Sequence, residues 1–117
     1  MLRIMCHAKI HGATVTQTEL SYEGSITIAA DLLDASGILP NERVQVVNLS
    51  NGSRLETYVI EGEAGSGVIC LNGPAARLAS VGDVVHILCY ALFDKEEAAE
   101  VVLKVVHVDQ HNHIAEQ

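Results

Sequence analysis

Every apolar run in this chain is short, rich in Val and Ile, and cut off by a turn residue, which makes strands rather than long helices the main building element. Three Tyr, one Phe and no Trp leave the core to Val, Ile, Leu and Ala. At 117 residues there is material for one domain. A core this thin gains from symmetric association, so a homo-oligomer is expected. The net charge of −8 removes the broad basic surface that a nucleic-acid binder needs. No apolar run approaches the ~20 residues of a membrane span, and no secretory signal is visible, so a cytoplasmic protein without membrane or nucleic-acid partners is expected. Cys6, Cys70 and Cys89 are widely spaced and form no CxxC pair, which reads as reduced, mostly buried thiols.

Strand alternation puts Met5, His7, Lys9 and His11 on one face of the first strand and Cys6, Ala8 and Ile10 on the other. Ala13 to Thr18 extends this piece, and the Gly24-Ser25 pair interrupts the pattern before Ile26-Thr27-Ile28 resumes it. Asp31 is placed to cap a short helix that stops at Gly37. Val44 to Leu49 and Leu55 to Ile60 flank Asn51-Gly52, the dipeptide that best tolerates a tight hairpin. After a glycine-rich loop come the strand Val68 to Leu71, a helical turn Ala75 to Ala79 entered through Pro74, and the strand Val84 to Leu92. Asp94 can cap a helix over 95–100, and Val101 to Val108 supplies a last strand before a polar tail. Six or more short strands, two or three helical turns and no strand-helix alternation predict a small mixed β-barrel.

Four groups of residues could carry chemistry. Gly24-Ser25 reads as a turn, or as a reactive pair. In the second reading a Ser hydroxyl held against the preceding carbonyl attacks it, moving the acyl group from nitrogen to oxygen, and Gly removes the Cβ that would block the geometry. The resulting ester can eliminate, and hydrolysis of the enamine so formed, with loss of ammonia, leaves a ketone-bearing terminus. Arg54 and Tyr58 share a strand face with Glu56 between them, while Thr57 points away unless a bulge or strong twist intervenes. Asn72-Gly73 at a strand end offers an amide and backbone N–H groups suited to an anion, or forms a plain turn. His107, Asp109, His111 and His113 alternate as ligands would, but Asn112 and the polar ending read as a frayed tail, and no metal site is expected.

In order and spacing, Lys9-Ile10-His11, Tyr22-Glu23-Gly24-Ser25, Asn51-Gly52, Arg54, Thr57-Tyr58 and Asn72-Gly73 resemble the pyruvoyl-dependent aspartate 1-decarboxylases. The resemblance runs from Met1-Leu2-Arg3 to the Ser80-Val81-Gly82-Asp83 turn and beyond. It implies a six-stranded double-psi β-barrel with short helices, one domain over 1–117, assembled as a homotetramer. It also implies a proenzyme cut between Gly24 and Ser25 into a beta chain, 1–24, and an alpha chain, 25–117, with room for a maturation partner. Ser25 would become a covalent pyruvoyl group, which takes the place of pyridoxal phosphate and requires no metal.

That ketone would condense with the amine of L-aspartate and act as the electron sink for loss of CO2, giving β-alanine for pantothenate and coenzyme A synthesis. By similarity Tyr58 donates the proton, as a phenol retains its own at neutral pH. Thr57 would contact substrate and assist cleavage, and Lys9 and Arg54 would hold the two carboxylates. Asn72 and the Gly73, Pro74 and Ala75 backbone would complete the pocket, with His11 and Tyr22 near its edge. Gly12 stands where the family usually has a basic residue, and Pro74 replaces a small residue whose N–H it cannot supply. The alternative is a silent barrel with Gly24-Ser25 intact, serving as a binding or assembly module.

Overall fold

The computed structural model describes residues 1–115. Its strands are β1 (Arg3–Thr14), β2 (Gln17–Glu19), β3 (Ser25–Ala29), β4 (Arg43–Asn48), β5 (Arg54–Gly62), β6 (Ile69–Asn72), β7 (Val84–Phe93) and β8 (Lys104–His107). Two short helices, α1 (Ala30–Ser36) and α2 (Lys95–Glu100), and a 3₁₀ turn, Gly73–Leu78, complete the elements.

The strand order is β2-β6-β3-β5-β4-β7-β1-β8. β1 and β2 are two parts of one extended segment, joined through Val15 and Thr16, whose amides donate to the carbonyls of Asp83 and Ile69 at 2.9 Å each. From β2 to β1 the order therefore begins and ends on the same stretch of chain, which closes the sheet into a barrel. Counted with residues 3–19 as a single stave, the ring has the six strands expected from the sequence. β8 lies outside it, added in parallel to β1 over Ala8 to His11. Parallel pairing of β3 with β5 and of β2 with β6 gives the mixed sheet.

Alternate residues fill the barrel. Ala8 and Ile10 of β1, Ile26 and Ile28 of β3, Val44 and Val46 of β4, Ile69 and Leu71 of β6, and Val85, Ile87 and Cys89 of β7 are all buried. Leu32, Leu33 and Ile38 close the end through α1 and the segment after it. Among the described residues, the buried ones include no Tyr or Phe, in keeping with a core left to Val, Ile, Leu and Ala. Each buried Val, Leu or Ile side chain contributes about 1.5–3 kcal/mol by leaving water.

The structure changes several local expectations. Asp31 sits in the first turn of α1 without capping it, and its carboxylate accepts from the Gly65 amide at 2.8 Å. Gly37 ends the helix as expected, at φ 78°. Asn51-Gly52 belongs to a longer connection, because the Asn48 side chain accepts from the Ser50 and Asn51 amides and organises the whole turn. The helical turn after β6 starts at Gly73 and is 3₁₀, with Pro74 in its first turn. Asp94 caps α2 as expected, in a reciprocal capping box with Glu97.

The tail is not frayed where it is described. Asn112 is wholly buried; it accepts from the Thr14 amide at 2.7 Å and donates to the carbonyls of Thr14 and Gly67 at 2.8 and 2.7 Å. It thereby ties residues 108–114 across the bottom of β1 and the loop before β6. Gly67 is needed there, since a Cβ would stand 2.5 Å from the His111 carbonyl oxygen.

Candidate active site

β3 and β6 form an antiparallel ladder in which Ser25 faces Asn72 and Thr27 faces Cys70. The intervening residues, Ile26 and Leu71, point into the core. Strand alternation thus puts four polar or thiol side chains together on the opposite face. The Asn72 amide nitrogen donates to Ser25 Oγ at 2.9 Å and to Thr27 Oγ1 at 3.0 Å, while its oxygen accepts from Cys70 Sγ at 3.2 Å. Burial, and secondarily the nearby Glu19 carboxylate, raise the Cys70 pKa, so it remains a thiol donor. Ser25, itself fully buried, donates to the Glu23 carbonyl at 3.2 Å.

Gly73 sets the position of the Gly24 bend. It sits at φ 63°, and a Cβ on it would lie 2.7 Å from the Gly24 nitrogen and the Tyr22 carbonyl oxygen. Only glycine allows the two backbones this approach. On the other side the Pro74 ring would lie 3.4 Å from a Cβ on Gly24.

A cleft of about 380 Å³ opens beside this bend, lined by Gly24, Thr57, Tyr58, Pro74, Ala75 and their neighbours. Thr57 and Tyr58 both border it although they alternate along β5, and the β4–β5 register runs without a bulge from Arg43–Tyr58 to Val47–Arg54. The cause is the strand edge. β3 pairs with β5 only from Val59 onward, so residues 54–58 present an unpaired edge to the cleft, and side chains of both faces flank it. Tyr58 is 36% exposed. Arg54, at the start of this edge, donates to the neutral Gln45 side chain at 2.8 Å, while Glu56 is engaged by Arg43.

Lys9 and His11 do not join this cleft within one chain. The register runs from Lys9 through Leu88 and Gln45 to Glu56, placing Lys9 three strands away. It lies on the outer face with His11, whose ring stacks on His86 at 4.0 Å and tilts against His107 at 5.0 Å. His86 Nδ1 accepts from the Gly12 amide at 2.9 Å. Burial first, and then neighbouring Lys9, lower the His11 pKa; burial, then His11 and Lys9, lower that of His86. The Tyr22 side chain is exposed, and only its carbonyl meets Gly73. His107 is thus drawn to His11, away from His111 and His113, and the tail residues form no ligand cluster among the described residues.

Residues 1–115 match the family model for aspartate decarboxylase. The chain belongs to the aspartate decarboxylase family. An aspartate 1-decarboxylase of Carboxydothermus hydrogenoformans is 60% identical over 114 residues, covering 97% of this chain and 90% of that one. The Bacillus cytotoxicus protein of the same name is 58% identical over 116 residues, with coverages of 99% and 91%. That of Thermoanaerobacter pseudethanolicus is 54% identical over 112 residues, covering 96% of each chain. Within this family member, sequence reasoning missed Thr27 and Cys70. Their signal was the i, i+2 spacing to Ser25 and Asn72 on two strands whose other positions are purely aliphatic.

Proposed function

We propose that this chain decarboxylates L-aspartate to β-alanine and CO2, using a pyruvoyl group that it makes from its own Ser25. The observation that carries the reading is the buried Ser25 hydroxyl held by Asn72 at a glycine-only bend, directly behind the Thr57 and Tyr58 cleft. In the precursor, Asn72 orients Ser25 Oγ for attack on the Gly24 carbonyl, and cleavage leaves residues 1–24 and 25–117. The residues present fit the resulting group: Asn72 supplies a donor at its position, and the Gly24 and Gly73 contact provides a close backbone wall.

Once formed, a pyruvoyl ketone supplies the electron sink that decarboxylation of an amino acid needs. Tyr58, at the open edge of β5, donates the proton that replaces CO2 on the substrate carbon. Thr57, Asn72 and the Gly73, Pro74 and Ala75 backbone shape the floor. Pro74 has no N–H, so donation from this turn falls to Gly73 and Ala75. Arg54, which no carboxylate among the described residues neutralises, holds one carboxylate of aspartate and Lys9 the other.

The three-strand separation of Lys9 from Tyr58 is the reason to assemble the site between copies. A homo-oligomer, in our reading a tetramer, would bring the outer face of β1, with Lys9 and His11, to the cleft of a neighbour. Ile4 and Leu92, paired across β1 and β7 and both largely exposed, supply apolar surface for that contact.

Intact mass under denaturing conditions, with and without borohydride in the presence of aspartate, tests the reading. Two fragments divided after Gly24, with a reduced substrate adduct on the larger, are expected. An uncut chain that releases no β-alanine would instead make this a silent barrel.

A further inference from the structure

Around the pairing of β1 with β7, a second group of residues has no part in the reaction proposed above. The pairing of β1 with β7 shifts between Cys6, opposite Tyr90, and Ala8, opposite Cys89. His7 is the extra residue of that bulge. It leaves the outer row that holds Lys9 and comes close to the core-facing Cys89 and to Glu42, in the turn before β4. One ligand atom from each of the three lies within 4.8 Å of the other two. This is the single such group of three or more among the described residues.

The three donors differ in how free they are. The buried Cys89 thiol, its pKa raised to about 12 chiefly by burial, donates to the Arg43 carbonyl at 3.7 Å and must give up that contact to bind an ion. The imidazole has no such tie. His7 Nε2 is buried and has no hydrogen-bond partner. Its separation from Glu42 Oε2, 3.8 Å, is too long for a hydrogen bond. The other Glu42 oxygen accepts from the Leu39 amide at 3.1 Å, which fixes the carboxylate and leaves Oε2 facing the imidazole. Phe93 meets the His7 ring edge-on at a centroid distance of 6.3 Å. Ligands at roughly 2.0–2.3 Å around a tetrahedral ion stand about 3.3–3.8 Å from one another. The His7–Glu42 separation of 3.8 Å already matches that, and the outer limit of 4.8 Å for the group requires a contraction of up to about 1 Å on binding. A groove of about 720 Å³ reaches the His7 side of the group and carries Glu96, Glu97 and Glu100 against Lys104, an acidic excess that favours cations there.

We propose that His7, Glu42 and Cys89 bind one borderline-soft divalent cation of the Zn²⁺ or Co²⁺ class, with water in the fourth position. Nitrogen, oxygen and sulfur donors together suit such an ion better than Mg²⁺ or Ca²⁺. Coordination converts the Cys89 thiol to thiolate and releases its proton to solvent. The ion would clamp β1, the turn before β4, and β7.

The test is an anaerobic titration of the chelator-stripped, full-length protein with Co²⁺. One equivalent per chain should bind, with thiolate-to-cobalt charge-transfer absorption and the intense ligand-field bands of four-coordination, both abolished by Zn²⁺. Cys89→Ala should lose the charge-transfer band and Cys6→Ser should keep it. His7→Gln and Glu42→Gln, at partly exposed positions, should each weaken binding at least ~10-fold while decarboxylation by His7→Gln stays unchanged. These two variants decide the matter if Cys89→Ala does not fold. Absence of saturable binding, bands that persist in Cys89→Ala, or unchanged affinity in both His7→Gln and Glu42→Gln would overturn the proposal.

Discussion

The Asn72 amide donates to Ser25 Oγ at 2.9 Å from the directly opposite position of the β3–β6 ladder. Both side chains are inaccessible to solvent, so the contact is dry. Asn72→Ala leaves Ser25, Thr27 and Cys70 without their shared partner. Loss of buried hydrogen bonds of this kind costs about 1–3 kcal/mol. The expected outcome is a lower melting temperature and self-cleavage slowed ~10-fold or more, followed as the fraction of uncut chain by mass over time.

Gly73→Ala should be harsher on cleavage than its single methyl suggests. The new Cβ would meet backbone atoms of Tyr22 and Gly24 at 2.7 Å, and φ 63° is strained for any side chain. Relief requires moving the Gly24 bend itself. The same mass assay should show mainly uncut protein, with destabilisation of about 1–3 kcal/mol in denaturant unfolding.

Tyr58→Phe separates maturation from turnover. The ring is retained and the hydroxyl makes no buried contact, so folding and cleavage after Gly24 should proceed normally. Decarboxylation should fall ~10²-fold or more in kcat, the usual magnitude for removal of a positioned proton donor. Normal kcat in a fully cleaved Tyr58→Phe protein would assign the proton to another group.

Stability should decline in two stages as pH falls. His11 and His86 have pKa values held below 6.5 in the folded state, chiefly by burial, so the unfolded chain binds protons more readily. Stability is therefore lost as pH drops below 6.5. Asp83 and Asp109 are held below 3.8, the first chiefly by the Asn48 amide and the second by the His113 and His111 amides. Their contribution is present above 3.8 and disappears as pH falls further. Melting temperatures between about pH 8 and pH 3 check both stages, and His86→Gln should flatten only the first.

Much of this architecture was legible in the residues because it rests on local rules. Short Val- and Ile-rich runs marked β3, β4 and β7 as strands, Gly37 marked the end of α1, and Asp94 marked the start of α2. The rest depends on non-local pairing. His7 reads as an outer-face residue until the β1 bulge displaces it, and that bulge is visible only against β7. Thr57 and Tyr58 read as opposites until β3 is found to stop pairing at Val59. Asn112 reads as part of a polar tail because its partners, Thr14 and Gly67, are distant in sequence. For the site, Gly24, Thr57, Tyr58, Pro74 and Ala75, singled out in the sequence, line one cleft, whereas the separation of Lys9 from them emerges only from the register of four strands.

Asn112→Ala tests that last distant tie. Its amide and carbonyl serve two segments at once, and their loss should lower stability by about 2–3 kcal/mol in denaturant unfolding while leaving cleavage intact. A loss confined to a few tenths would show that residues 108–114 contribute little to the barrel.

A closed ring in which residues 3–19 serve as one stave has a kinetic consequence. If the chain is cut after Gly24, the small fragment retains β1 and β2, hydrogen-bonded to β7, β8 and β6. It is interwoven with the rest and has no route out that does not dismantle the wall. Before the cut, folding is a unimolecular search. Afterwards the same barrel can be rebuilt only by two molecules finding each other, so recovery from denaturation becomes concentration-dependent. Maturation would thus act as a ratchet: the fold is reached through the intact precursor, and the cleaved protein persists by the slowness of its unfolding.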